Sequence, residues 1–183
     1  MDKKKLIRSK YFLKRKKNYF KINKKFFKPL AKLIKENFGN KKINISIFYP
    51  SSYEIDVLKI LDFKDLKKKK FLLPVVERKN FMYFCEWKKN EILYVGKYGI
   101  PEPVKSNKKT PDIILAPLLA YDGDKNRLGY GKGFYDQYLN KYIRLKKKIL
   151  TVGIAFSFQK YHKLPINNKD FQLNYILTEK GLI

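Results

Sequence analysis

The chain is poor in the residues on which several common chemistries depend. Among its 183 residues there is one cysteine, Cys85, and one histidine, His162. A single cysteine excludes an intramolecular disulfide, and its apolar neighbourhood, FMYFCEW, makes Cys85 inert core. With one histidine, neither a histidine-containing zinc cluster nor a nucleophile triad can be assembled, so His162 reads as structural or surface. Long apolar runs are also missing. None approaches the roughly 18 residues of a membrane span, and the opening MDKKKLIRSKYFLKRKK lacks the unbroken apolar stretch of a secretory signal. Its basic, acid-poor character fits an organelle transit peptide, but its few serines do not; a cytoplasmic location without membrane association is expected.

Acidic residues are scarce: 16 Asp and Glu face 43 Lys and Arg, for a formal net charge of +27. A basic field of this size attracts any polyanion, which raises nucleic-acid binding as one function class. The lysines, however, are spread over nearly every polar segment (3–5, 14–17, 67–70, 146–148) and not gathered on one arm or face. They accompany abundant Asn, Ile, Tyr and Phe, the mixture that an AT-rich coding bias produces. No specific nucleic-acid partner is expected.

There is no internal repeat, Pro/Ser-rich linker or low-complexity tail, and a hydrophobic content of 44% suffices for one core; a single domain over residues 1–183 is expected. The first forty residues read as helical, with Phe26, Phe27, Leu30, Leu33, Ile34 and Phe38 on a core-facing stripe and Gly39 as terminator. A strand-helix alternation follows. Ile43 to Tyr49 reads as a strand, Ser51 or Ser52 as the cap of a helix starting near Glu54, and Phe71 to Val76 as another strand. Phe81 to Trp87 and Ile92 to Val95 flank Lys88, Lys89 and Asn90 as a hairpin would; Ile113 to Ala116 and Ile149 to Ala155 are further strands, and Tyr175 to Leu177 the last. Phe134 to Ile143 reads as a helix. The rhythm predicts a three-layer α/β/α fold with a central, mostly parallel sheet and N-terminal helices, whose ligands sit at the carboxyl ends of the strands.

The densest chemical signal is RLGYGKGFYD, Arg127 to Asp136. Gly129, Gly131 and Gly133 alternate with Tyr130 and Lys132, so the backbone can adopt positive φ and turn several N–H groups toward one anion. Arg127 and Lys132 add fixed positive charge, and Asp136 can hold a divalent metal. Two familiar phosphate loops are excluded by counting. A Walker loop requires glycine where Asn126 stands, and the dinucleotide fingerprint requires one at Phe134. The preceding DGDKN, Asp122 to Asn126, reads as the turn of a tight hairpin.

The longer segment DIILAPLLAYDGDKNRLGYGKGFYDQYL, Asp112 to Leu139, resembles the signature of the 5-formyltetrahydrofolate cyclo-ligase family, also called 5,10-methenyltetrahydrofolate synthetase. The resemblance implies an ATP-dependent cyclisation of 5-formyltetrahydrofolate to 5,10-methenyltetrahydrofolate, with Mg²⁺ as cofactor and ADP and phosphate as products. It implies an ATP site formed by Arg127, Leu128, Gly129, Tyr130, Gly131, Lys132, Gly133, Phe134 and Tyr135, with Arg127 and Lys132 catalytic and residues 131–135 also facing the folate. For Tyr130, Phe134 and Tyr135, packing around a ligand and aromatic core packing both remain open. A catalytically inactive folate- or nucleotide-binding relative is the remaining alternative, and a monomer is the expected form.

Four other segments take part. Lys4 and Arg8, four residues apart, share one helical face, which in so lysine-rich a segment is either solvated or grips a polyphosphate; the family's opening Lys-x-x-(Leu/Ile)-Arg pattern, matched by Lys4, Ile7 and Arg8, implies the second. By itself Glu54 reads as a helix-start carboxylate. The resemblance makes it the contact for the amino-pyrimidine edge of a pterin, with Tyr49 as a wall of that pocket. GIPEP, Gly99 to Pro103, reads as a rigid loop, and Glu102 becomes a substrate-pocket candidate by resemblance. In LPINNKDFQLNYILTE the resemblance pairs Asp170 with Asp136 at the metal and places Asn174 where a second acid is common, which puts a charged role for that position in doubt.

Overall fold

The computed structural model describes residues 2–66, 68–77, 81–105, 107–145 and 148–183, with the side chains of 143 and 144 excepted. Helix α1 (Lys3–Asn18) is capped by the Asp2 carboxylate, which accepts from the Lys4 N–H at 2.9 Å, and carries Arg15, Lys16 and Lys17 in its last turn, where cations oppose the helix dipole. A 3-10 turn (Lys24–Phe27) leads into α2 (Lys28–Phe38), which has a proline in its first turn and stops at Gly39, φ 53°. The expected helical run is therefore two helices with a break between them.

The strands follow as β1 (Asn44–Ser46), β2 (Lys70–Val76), β3 (Met82–Glu86), β4 (Leu93–Val95), β5 (Pro101–Pro103), β6 (Lys108–Lys109), β7 (Ile113–Pro117), β8 (Ala120–Tyr121) and β9 (Arg127–Leu128). After α3 (Phe134–Arg144) come β10 (Leu150–Ile154), β11 (Tyr175–Thr178) and β12 (Gly181–Leu182). Eight strands form one sheet in the order β12-β11-β10-β7-β1-β2-β3-β6. The neighbours from β11 to β2 are parallel, and antiparallel strands flank them at both sides. The central strands are predominantly apolar, with Ser46 and Thr151 as buried polar exceptions, because helices cover both faces.

One face carries Ile45, Leu73, Ile113, Leu115 and Val152 and packs on Leu30 and Ile34 of α2 and on Ile60 of a 3-10 helix (Val57–Asp62). The other carries Leu72, Phe84, Ile114 and Ile176 and packs on Tyr138 and Leu139 of α3. This is the expected three-layer arrangement. Helix α1 belongs to neither face: its Ile7 and Tyr11 pack on Leu119, Ala120, Leu128 and Leu164, over the carboxyl ends of the strands. Cys85 and its thiol are buried, and His162 is exposed, as expected.

Several local expectations are corrected. No α-helix starts near Glu54; Ser52 and Tyr53 take positive φ (49° and 65°), which breaks the chain into a turn before the 3-10 helix. Strands β3 and β4 do not pair with each other. Strand β3 lies between β2 and β6, whereas β4 pairs with β5 outside the main sheet, and turn 88–91 merely joins them. GIPEP is a loop only at Gly99 and Ile100: Pro101–Pro103 is β5, an edge strand where proline costs no ladder donor. The last strand is β12, antiparallel to β11.

Packing is close at Gly153 in β10, where an added Cβ would lie 2.7 Å from Ile176 Cδ1, 2.7 Å from Leu118 Cδ2 and 2.8 Å from Leu173 Cδ1. All three neighbours are themselves buried, so they have little room to withdraw. Gly153→Ala should lower unfolding free energy by about 1–3 kcal/mol, read from the denaturant midpoint. An unchanged midpoint contradicts this packing.

Candidate active site

Parallel strands β1, β2, β7 and β10 end on a common edge, and the chain segments that leave them build the site. From β7 the chain enters the β8–β9 hairpin, whose turn is fixed by the buried Asp122: its carboxylate accepts from the N–H groups of Asp124, Asn126 and Leu164 and from Asn126 Nδ2, at 3.0–3.1 Å. DGDKN is thus the turn its composition implies. The hairpin delivers residues 129–133 to the edge. Gly131 (φ 96°) and Gly133 (φ 69°) occupy backbone that disfavours any side chain. A Cβ on Gly131 would also come within 3.2 Å of Arg8 Cζ.

Helix α1 lies across this loop, which settles the orientation of its cations. Arg8 Nε donates to Gly129 O at 2.9 Å, and Lys4 Nζ pairs with Asp170 Oδ2 at 2.5 Å. Asp170 Oδ2 also accepts from the Asn167 N–H at 2.7 Å. Arg127 Nη2 donates to Asp136 Oδ1 at 2.7 Å, and the same oxygen accepts from the Phe171 N–H at 3.1 Å. The Arg127 guanidinium stands 5.6 Å over the Tyr135 ring, and the Arg127 Nε and Tyr135 hydroxyl are buried without a protein partner. Burial pushes the Tyr135 hydroxyl pKa up, with the Glu54 charge adding to the shift.

Asp136, Asp170 and Gly133 line a cavity of about 640 Å³ together with Gln137, Asn140 and Lys169. No cluster of three or more His, Cys, Asp or Glu among the described residues could cage a metal. Two carboxylates in one cavity do suit Mg²⁺, which takes its remaining oxygens from phosphate and water.

Glu54 is reached from the end of β1. Its carboxylate is buried; Oε2 accepts from the Ser51 N–H at 2.8 Å, and Oε1 accepts from the Tyr130 hydroxyl at 2.5 Å. Arg15, on α1, donates through Nη2 to that hydroxyl at 2.6 Å. Desolvation holds the Glu54 pKa above the usual carboxylate value, against the lowering effects of Tyr130, Ser51 and Arg15. The Tyr130 hydroxyl is raised as well, by burial and by the Glu54 charge. Tyr49 is half-buried against the α2-side core.

Glu102 projects from β5 to the end of β2, where the Val76 N–H donates to Oε1 at 3.2 Å, and burial raises its pKa. A Cβ on Gly96 opposite would lie 2.4 Å from Glu102 Cδ and would displace that side chain. Both line a cavity of about 620 Å³ with Val76, Tyr94 and Pro103. The β4–β5 turn leans on the glycine loop: the Tyr98 ring packs against Phe134 at 5.6 Å, tilted by 54°, and Lys132 Nζ stands 5.5 Å over the Tyr98 ring. Lys132 and Gly131 are exposed.

Residues 1–179 match the 5-formyltetrahydrofolate cyclo-ligase family. The chain belongs to that family. A cyclo-ligase of Haemophilus influenzae is 30% identical over 143 residues, covering 74% of this chain and 75% of its own length. That of Mycoplasma genitalium is 32% identical over 135 residues, covering 73% of this chain and 71% of its own length. The NMR structure of Aquifex aeolicus 5,10-methenyltetrahydrofolate synthetase superposes with a TM-score of 0.73 at 29% identity, covering 98% of this chain and 91% of that one. The synthetase of Mycoplasma pneumoniae superposes with a TM-score of 0.68 at 26% identity, covering 97% of this chain and 98% of that one.

On this cyclo-ligase scaffold most of the residues singled out from the sequence lie along the carboxyl edge. Lys4, Arg8 and residues 127–136 meet there with Asp170, and Glu54 and Glu102 approach from β1 and β5. Asn174 lies elsewhere. Its Oδ1 accepts from the Thr151 N–H at 2.8 Å and the Thr151 hydroxyl at 2.9 Å, fixing the starts of β10 and β11 at the opposite edge of the sheet. An aspartate would accept the same bonds, so asparagine there does not alter the site. The sequence reading missed Arg15, although Ile7, Tyr11 and Arg15 recur at a spacing of four and all three are buried.

Since the Glu54 pKa is raised on folding, its contribution to stability is fully present below the unfolded value of about 4.3 and is lost as pH rises through the folded value. Wild type should therefore lose stability relative to Glu54→Gln as pH rises from about 4 toward neutrality, measured by urea unfolding. A gap between the two proteins that stays constant with pH contradicts the raised value.

Proposed function

We propose that this chain converts 5-formyltetrahydrofolate to 5,10-methenyltetrahydrofolate, consuming ATP and releasing ADP and phosphate. The observation that carries the reading is the placement of α1 against the glycine loop that holds Arg127 and Lys132, with Arg8 bonded to Gly129 and Lys4 to Asp170, and with a buried carboxylate, Glu54, bonded to the same loop through Tyr130. A polyanion and a pterin would then lie side by side. The reading includes Mg²⁺ as cofactor, held by Asp136 and Asp170, and a single-domain, cytoplasmic monomer; among the described residues no helix is long and apolar enough to cross a membrane.

The formyl oxygen is a poor leaving group until it is phosphorylated. It attacks the γ-phosphorus, ADP departs, and the formyl carbon becomes iminium-like; N10 then attacks that carbon, the carbon–oxygen bond breaks, phosphate leaves, and N10 loses its proton. Bound Mg²⁺ would supply charge neutralisation at the phosphates. The chain's residues align and stabilise. Backbone N–H groups of 129–133 and the Lys132 ammonium face the transferring group, Arg8 and Lys4 hold the nucleotide phosphates, and Arg127 fixes Asp136 while adding positive charge. Glu54 accepts from the amino-pyrimidine edge, which orients N5 and N10 toward the phosphate, and the cavity beside Glu102 receives another part of the folate. Tyr49 is assigned to the pterin pocket wall.

The test is the appearance of methenyltetrahydrofolate absorbance on mixing the protein with 5-formyltetrahydrofolate and Mg-ATP. It should require both ATP and Mg²⁺; turnover undiminished after removal of either contradicts the reading. Lys132→Ala should lower kcat roughly 10²- to 10³-fold, because its charge acts while the phosphoryl group moves, whereas Lys4→Ala should mainly raise the KM for ATP. Near-normal kcat in a folded Lys132→Ala variant refutes its catalytic placement. Glu54→Gln should weaken folate binding by about 1.5–3 kcal/mol and ATP binding much less. Equal losses for the two ligands reject the pterin assignment.

A further inference from the structure

We infer that Arg15 is the positioning residue of this site, locking the glycine loop to the pterin carboxylate so that the two ligand halves are set together. The inference rests on the cyclo-ligase reading above. The Arg15 side chain is 1% exposed, although it sits in a helix otherwise crowded with solvated lysines. Its Nη1 donates to Leu118 O at 3.2 Å, where β7 ends; its Nη2 donates to Ser52 O at 2.8 Å, in the turn after β1, and to the Tyr130 hydroxyl at 2.6 Å. Tyr130 occupies the centre of the glycine loop, and its hydroxyl donates to Glu54 Oε1 at 2.5 Å. One guanidinium thus joins two strand ends, the phosphate loop and, through a hydroxyl, the carboxylate.

Directionality makes this chain of bonds selective. A guanidinium is donor-only, so the tyrosine oxygen must accept from it and can donate its single proton only outward, to Glu54. The buried Arg15 cation in turn favours the Glu54 charge, and each group keeps the other tolerable inside the protein. A lysine at this position has one nitrogen and cannot reproduce a planar fork reaching separate acceptors. Cation choice in the chain agrees. Of 43 Lys and Arg only five are arginine, and the three whose side chains are described, Arg8, Arg15 and Arg127, all bond to the glycine loop or to Asp136 beside it.

A purely structural anchor for α1 would weaken both ligands alike; a positioning residue weakens the folate selectively and does so through Tyr130. The test is equilibrium titration of 5-formyltetrahydrofolate and of a non-hydrolysable Mg-ATP analogue into wild type, Arg15→Met, Tyr130→Phe and the double variant, with circular dichroism to verify folding. Each single variant should weaken 5-formyltetrahydrofolate about tenfold and the analogue less than about threefold, and the double variant should be no weaker than the weaker single. Tyr130→Phe leaves the guanidinium and its carbonyl bonds in place, so it decides the matter even if Arg15→Met does not fold. Wild-type folate affinity in folded Tyr130→Phe, equal losses for both ligands, or additive losses in the double variant would overturn the inference while leaving the activity intact. If wild type itself fails to bind 5-formyltetrahydrofolate, the functional reading falls and this inference with it.

Discussion

The carboxyl edge of a parallel sheet is the constraint from which the rest of this structure follows. Strands β1, β2, β7 and β10 all run out at that edge, and the carbonyls just past β7, at Leu118 and Leu119, are satisfied by something other than another strand. Side chains supply the bonds. Arg15 Nη1 and Gln159 Nε2 both donate to Leu118 O, and Gln159 Nε2 also donates to Leu119 O. The cover brought by α1 and by the turn after β10 therefore combines these polar contacts with the apolar packing of Ile7 and Tyr11, and it meets the phosphate loop because the β8–β9 hairpin folds back over the same edge.

Charge is arranged on the same principle. With +27 formal charges on the chain, positive potential is everywhere and identifies nothing. What distinguishes this edge is where the scarce acids lie: Asp170 against Lys4, Asp136 against Arg127, and Glu54 linked to Arg15 through Tyr130. The carboxylates fix long cationic side chains in position, at partly buried places where such pairing counts for more than at the open surface. Lys132 is the exception. It stands exposed over the Tyr98 ring, on the loop between two glycines of positive φ, where it is well placed to follow a charge that moves during reaction.

Much of this was legible in the sequence, and the illegible parts share a cause. The glycine loop, the Asp122 turn and α3 are encoded locally, by glycines that need positive φ, by a side chain that bonds its own turn and by helical periodicity. The pairings of β3 and β4 are not local: Phe84 finds Pro74 and Lys109, and Tyr94 finds Glu102, according to which edges the rest of the sheet leaves open. Glu54 was expected at a helix start because two serines precede it, but Ser52 and Tyr53 in positive φ form a tight turn that sends the carboxylate inward. Arg15 was hidden by composition, one cation among many, and only its burial beside Ile7 and Tyr11 separates it from its neighbours.

The central claim is geometric: phosphates and pterin lie side by side on the edge that α1 covers. The most direct measurement is a structure of the protein with 5-formyltetrahydrofolate and a non-hydrolysable Mg-ATP analogue. The account predicts the γ-phosphate against the N–H groups of residues 129–133, with Lys132 beside it, and the pterin amino group on Glu54. Triphosphate bound away from the glycine loop, or a pterin making no contact with Glu54, would contradict it.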